Sequence, residues 1–402
     1  MTRTDLPELT VGWIGTGHMG AALAARIGRA GLDLTVWNRT RAKAEPLVDA
    51  GAKVADEPVE LADRDVVFTM VTTSADLEQV VGRLLSDPEK APRILVDCST
   101  VSTEASARVR EVAAQRGIAF LASPVSGNGK VVSAGKLSLV SSGPREAYDE
   151  VEPILELLGR HVTYVGDGEK ARLVKICHNI MLGVVAQNMA EIVVLAEKGG
   201  VPRAAMLDFL AAPVSGNSKV VASGRLTFVV SGPRSTYDKV AHLLGHMGKS
   251  VTYVGEGDTA RLAKICHNLM LGVVAQTMAE ITVLAEKGGM SRAAFLEFLN
   301  ESVMGSTFTR YKSPAYVHLD YTPTFTPVLL RKDFDLGLAA ARELDVPMPL
   351  AAVTAQLVQA TVSAGRVDED FAVLLDQQAA ASGLELRPED TPVDDGLGGG
   401  PK

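Results

Sequence analysis

The chain has 402 residues, 47 % of them hydrophobic and 22 % charged, with a formal net charge of −8. That length suits two or three domains, and the composition supplies core material and excludes a disordered chain. The acidic balance leaves no basic footprint for nucleic acid or an anionic membrane. Three scattered cysteines (Cys98, Cys177, Cys266) make no disulfide framework, and the opening MTRTDLPELT has no apolar leader. The expectation is a cytoplasmic protein with neither a nucleic-acid nor a membrane partner.

In chain order, Leu9–Ile14 is a short apolar run ending at a glycine cluster, which reads as a buried parallel strand. His18–Ala30 follows with helical periodicity. Leu34–Trp37 is a second strand and Arg41–Ala50 a second helix, stopped by Gly51. Val66–Val71, Ile94–Val96 and Ala119–Ala122 are further strands, separated by helices over Asp76–Leu85 and Thr103–Arg116. Strands alternating with helices predict a doubly wound, Rossmann-type α/β sheet. Beyond residue 170 the pattern turns helical. Ala171–Lys198 and Ala260–Lys287 are long helices stopped by Gly-Gly pairs, and Phe334–Leu344 and Leu350–Ala364 are two more.

The two long helices belong to a repeat. PVSGNGKVV at Pro124–Val132 recurs as PVSGNSKVV at Pro213–Val221, and Ala122–Leu210 aligns without a gap on Ala211–Leu299, with 59 of 89 positions identical. One copy of 89 residues, placed head to tail, is a tandem duplication and not a solenoid. The expected organisation is a nucleotide-binding domain over 1–170, a long interdomain helix over 171–210, and a duplicated domain end over 211–259. A second long helix with an all-α domain over 260–383 and a disordered polar tail over 384–402 complete it.

Gly15-Thr16-Gly17-His18-Met19-Gly20 is a GxGxxG between a strand and a helix. Gly15 permits the tight turn, Gly17 lets the backbone approach a pyrophosphate, and Gly20 lets helix pack on strand. The end of the second strand offers Asn38-Arg39-Thr40-Arg41. It lacks the carboxylate that binds a ribose 2′-hydroxyl in NAD enzymes, and its guanidinium groups suit a 2′-phosphate, so NADP is favoured, with NAD as the alternative.

Lys175 and Asn179 stand four residues apart on one helix face, among Leu173, Ile176 and Met181. A lysine there, partly desolvated, has its pKa lowered toward neutrality and suits general acid/base work. A lysine snorkelling from the helix edge is the other reading. Every such residue has a twin: Lys264 for Lys175, Asn268 for Asn179, Ser215 and Gly216 for Ser126 and Gly127. His242 and His246 have no counterpart in the first copy and read as a solvated helix face, with no metal site.

Taken together, GxGxMG at Gly15–Gly20, DCST at Asp97–Thr100, PVSG at Pro124–Gly127, the Gly166–Asn179 helix start and Lys332-Asp333 resemble the β-hydroxyacid dehydrogenases. That family includes 3-hydroxyisobutyrate dehydrogenase and glyoxylate/succinic semialdehyde reductase. The resemblance implies a Rossmann domain, a long interdomain helix and a helical C-terminal domain, assembled as a homodimer or homotetramer. It implies that Ser126 and Gly127 hold a substrate carboxylate, that Ser99 and Thr100 lie near substrate and nicotinamide, and that Thr72 and Lys332 approach the cofactor. Lys175 would be the proton donor and acceptor with Asn179 beside it.

The expected function is an NAD(P)-dependent oxidoreductase acting on a small β-hydroxy acid or its semialdehyde or keto acid, with the first copy completing the site. Two alternatives stand beside it. One is imine reduction on the same scaffold, against which the lysine argues; the other is a nucleotide-binding protein without catalysis.

Overall fold

Six short, mostly apolar segments make one parallel sheet: β1 (Thr10–Ile14), β2 (Asp33–Trp37), β3 (Lys53–Val54), β4 (Val66–Thr69), β5 (Ile94–Asp97) and β6 (Ala119–Ala122). Their order is β3-β2-β1-β4-β5-β6, so the chain reverses direction across the sheet between β1 and β4. The strands carry apolar side chains on both faces because helices α1 (His18–Arg29), α2 (Ser74–Leu84) and α3 (Thr103–Gln115) cover them. Val11, Trp13, Val66, Phe68 and Val96 are fully buried. Arg41–Ala50 is not the continuous helix its sequence suggests but two 3-10 segments, Arg41–Lys43 and Glu45–Ala50. Pro46 lacks the amide hydrogen that a helix running through it would require.

This computed structural model describes residues 8–127, 131–132, 135–211 and 226–397. The chain forms two units, Met1–Cys177 with Gly288–Val303, and His178–Lys287 with Met304–Lys402. In the first, β7 (Val125–Ser126), β8 (Ser138–Ser141) and β9 (His161–Tyr164) form a small sheet tied to β6 by an Ala122–Ser142 bridge. Between β8 and β9, α4 (Arg145–Leu158) buries Tyr148, Val151, Ile154, Leu155 and Leu158 in the same core as Leu23 and Ile27 of α1. Arg26 of α1 donates to the Leu157 carbonyl at 2.6 Å.

Next comes α5 (Lys170–Lys198), and the division between the units falls inside it. Its first turn is fixed by Arg172, whose buried guanidinium meets the buried carboxylate of Asp97 at the end of β5 and also donates to the Ser99 carbonyl and the Ser106 hydroxyl.

The second unit contains α6 (Arg203–Ala211), then β10 (Thr227–Val230), α7 (Arg234–Met247), β11 (Ser250–Tyr253) and α8 (Thr259–Lys287). The β10-α7-β11 piece reproduces β8-α4-β9 down to single bonds: Tyr164 donates to the Gly143 carbonyl and Tyr253 to the Gly232 carbonyl, both at 2.7 Å. It differs in packing, since α7 buries no residue. α9 (Arg292–Glu301) belongs to the first unit, where it lies on β8 and β9. Ser138 and Arg160 donate to Glu301 there, and His161 pairs with Glu297 at 3.4 Å.

Helices α10 (Thr307–His318), α11 (Pro327–Glu343), α12 (Pro349–Ser363) and α13 (Leu374–Ala381) complete the second unit, and the last three pack around α8. Close approach is allowed by Gly272, where a side chain would strike Phe334, and by Gly337, where it would strike Leu269. Both α5 and α8 contain an apolar window long enough to cross a bilayer; that of α8 is 78 % buried, as befits a core helix. Residues 384–397 carry no helix or strand, yet Glu389 donates its amide to the Val317 carbonyl at 3.0 Å.

Arg172 and its duplicate, Arg261, give a direct test of what holds α5 in place. Arg261 is 82 % exposed and pairs with Asp258 at 3.6 Å. Arg172→Ala leaves a buried carboxylate unpaired and should cost about 3–5 kcal/mol in urea unfolding, whereas Arg261→Ala should leave the midpoint unchanged.

Candidate functional site

The glycine loop leaves β1 at the point where the sheet order reverses, the position at which doubly wound sheets bind ligands. Gly15 has φ +96°, and a side chain there would lie 2.2 Å from the Met70 carbonyl oxygen. A side chain at Gly20 would lie 2.0 Å from the Gly15 carbonyl oxygen, so α1 sits hard against the loop. At Gly17 nothing stands within 4 Å, leaving its surface open to a ligand.

No side chain caps the amino end of α1, at His18 and Met19, so its amide groups face outward, where an anion would satisfy them. The Thr16 amide donates to Asn38 Oδ1 at 2.9 Å, while the buried Thr16 hydroxyl has no partner among the described residues. Trp37, Asn38, Arg39, Thr40, Lys43, Thr72 and Arg83 line the adjoining cleft. Arg39 is mostly exposed and pairs with Asp76 at 3.2 Å. These residues fit a dinucleotide: an open glycine, an uncapped helix and an orphaned hydroxyl, with cationic side chains where a 2′-phosphate would lie.

In the same unit, Asp97 gathers the end of β5. It accepts from the Thr69 and Ser99 hydroxyls, both at 2.6 Å, and pairs with Arg172. The Ser99 hydroxyl also accepts from the Val71 amide at 2.9 Å, so it is committed to holding the strand ends together. Thr100, next to it, is exposed.

Ser126 is buried on β7 opposite Ser138. Gly127 has φ +146°, and a side chain there would strike Val131 and Leu137, so only glycine serves. Lys175 lies one turn beyond Arg172 and is 8 % exposed; burial pushes its ammonium down to about 8. Asn179, a further turn on, is exposed.

The duplicated residues have other surroundings. Burial also pushes Lys264 down to about 8, against the opposing pull of Asp333. Asn268 donates to Asp333 at 2.6 Å, and Asp333 pairs with Lys332, itself 59 % exposed, at 3.2 Å. Lys332 and Asp333 thus meet the second-copy lysine within the second unit. Burial pushes the His267 imidazole down to about 4. Ser215 and Gly216 lie outside the described residues.

Cys177 and Cys266 are buried, with thiols pushed up to about 12, and behave as small apolar side chains. Among the described residues no group of three metal-ligating side chains comes together. Sequence reasoning missed Arg172, Lys43 and Arg83. For Arg172 the signal was present, an arginine opening an apolar helix after an Asp-Cys-Ser-Thr strand end, but Arg261 carries the same local signal without the partner.

Fold and loop together define a dinucleotide-binding protein of the Rossmann type. A family model described as the NAD binding domain of 6-phosphogluconate dehydrogenase matches residues 10–166 and 174–255. A second, described as NAD-binding of NADP-dependent 3-hydroxyisobutyrate dehydrogenase, matches 255–377. The chain belongs to the β-hydroxyacid dehydrogenase family and is an NAD(P)-dependent oxidoreductase.

Glyoxylate/succinic semialdehyde reductase 2 of Arabidopsis thaliana is 27 % identical over 96 % of this chain and 83 % of its own length. The 3-hydroxyisobutyrate dehydrogenase of Pseudomonas aeruginosa is 31 % identical over 52 % of this chain and 70 % of its own. An imine reductase from Pseudomonas sp. shares the fold at 16 % identity, with a TM-score of 0.57 over 92 % of this chain and 99 % of that one.

The glycines separate folding from binding. Gly17→Ala should hold its melting temperature within about 2 °C yet weaken NADPH binding at least about tenfold, read by nicotinamide fluorescence. Gly15→Ala, strained by its φ and by Met70, should lose stability as well.

Proposed function

We propose that the chain reduces a small carboxylated aldehyde or keto acid to its hydroxy acid, and runs the reverse oxidation, with Lys175 as general acid and base. When bound, the nicotinamide supplies or accepts the hydride. The Ser126 hydroxyl and the Gly127 amide hold the substrate carboxylate, which fixes the carbonyl carbon. In reduction, Lys175 Nζ gives its proton to the carbonyl oxygen as the oxygen gains charge; in oxidation the neutral amine takes the hydroxyl proton back. Asn179 orients the same oxygen.

The observation that carries this reading is the placement of Lys175. Arg172, locked to Asp97 and Ser99, anchors the first turn of α5 to the end of β5, and Lys175 follows one turn on, in the unit that holds the glycine loop. Arg261, one turn before Lys264, is 82 % exposed. Arg39, Lys43 and Arg83, with Asn38 in place of a carboxylate, favour NADPH over NADH. Relatives named for glyoxylate, succinic semialdehyde and 3-hydroxyisobutyrate support the substrate class. We further propose that the enzyme is cytoplasmic, as a homodimer or homotetramer.

Lys175→Ala should lower kcat on a panel of small semialdehydes by about 10²–10⁴-fold and leave NADPH affinity unchanged; Lys264→Ala should change kcat by less than about threefold. The reverse pattern assigns the site to the second copy, and turnover of cyclic imines alone overturns the substrate class.

The pH dependence follows from the amine titrating at about 8. Reduction needs the protonated amine, so its rate should fall as pH rises through 8. Oxidation needs the neutral amine and should rise over the same window. Both limbs vanish in Lys175→Ala.

A further inference from the structure

The second copy of residues 122–210 has no part in the proposed chemistry, but its packing gives it a task. With 29 residues, α5 is about 44 Å long. α6, which comes directly after it, belongs to the unit that holds β10 and β11, not to the one that holds β8 and β9. It packs on β11 of the second copy. The 29-residue helix α8 is likewise followed by a helix, α9, that packs on β8 and β9 of the first copy.

The helix ends repeat the exchange. Just past α5, a side chain at Gly200 would lie 3.7 Å from Thr259, at the start of α8; just past α8, a side chain at Gly289 would lie 3.8 Å from Lys170, at the start of α5. Positions 200 and 289 correspond in the repeat, as do 170 and 259. Midway, Asn188 donates to the Met270 carbonyl at 3.4 Å, and a side chain at Gly199 would strike Leu262, so these stretches of α5 and α8 run antiparallel. The packing of the following helix on the other copy's strands, and the approach of the Gly-Gly stop to the start of the other long helix, are each made twice with the roles of the copies exchanged. That reciprocity is the property of an isologous interface between two protomers.

The unfinished faces agree. The apolar face that α4 closes on α1 is open on α7, where Val240, Leu243 and Met247 are 38–64 % exposed, since among the described residues the second unit has no counterpart of α1. Ile180 and Gly183 of α5 are exposed where their counterparts Leu269 and Gly272 of α8 pack against α11. The first copy has a nucleotide-binding half; the second has a helical domain.

We propose that residues 122–299 are a subunit interface folded into one chain, in which 211–299 gives to 122–210 the contacts that a second polypeptide would give if the segment occurred once. The interface therefore forms within each molecule, whatever larger assembly its other faces make.

Full-length Thr259→Lys, which copies the residue at position 170, tests this with an amine-reactive cross-linker. Lys198 stands two residues before Gly200, so a cross-linked peptide joining 198 to 259 is expected in the denaturing-gel band of single-chain mass. Its yield should be unchanged on roughly hundredfold dilution of a protein whose helical circular dichroism matches the parent. Recovery of that peptide only from the band of double mass, or from neither band, overturns the proposal.

Discussion

One buried ion pair sets the geometry on which the rest of this protein depends. Arg172 and Asp97 are 1 % and 0 % exposed, and neither charge could be hidden there without the other. Asp97 closes β5 and also collects the Thr69 and Ser99 hydroxyls, so the ends of two central strands are tied to one carboxylate. Because Arg172 belongs to the first turn of α5, the same pair fixes where that helix begins and which way it points. Lys175 is carried into place by that turn, and its burial follows from it. A buried amine with a pKa near 8 is thus a by-product of how a helix is pinned to a sheet.

The duplication works as an internal control. Residues 142 and 231 are both serines that accept from the amide opening the long helix, Ala171 or Ala260, and donate to the carbonyl of Gly168 or Gly257. The tyrosine pairs stack alike, at 4.8 Å for Tyr148–Tyr164 and 4.9 Å for Tyr237–Tyr253. Local sequence therefore builds the same strand-helix-strand piece twice. Burial repeats only in places: Cys177 and Cys266 are both interior, but Arg172 is interior and Arg261 exposed, and α4 is a core helix while α7 buries nothing. Side chains of the same type end in different chemistry because different single-copy segments lie beside them.

Much of the architecture is legible in the sequence. Short apolar strands between glycine stops, and long helices ended by Gly-Gly, are written in period and punctuation. The dinucleotide loop is legible because its chemistry demands small residues at fixed spacing. Arg41–Ala50 misleads as one helix because its apolar spacing outweighs Pro46. Lys43 and Arg83 at the nucleotide cleft are not legible, since an exposed cation at a strand or helix end carries no local mark of what it faces.

The sequence by itself determined the strands, the long helices, the glycine loop and the residue types that a hydride-transfer site needs, because each rests on contacts within a few residues or on steric demands of the backbone. Only the tertiary structure decided which of two equivalent lysines sits after an anchored turn in the unit of the glycine loop. It alone exchanged α6 and α9 between the copies, because packing between elements distant in sequence set which strands each helix covers. Neither decision leaves a trace in the local pattern, which is nearly the same in both copies.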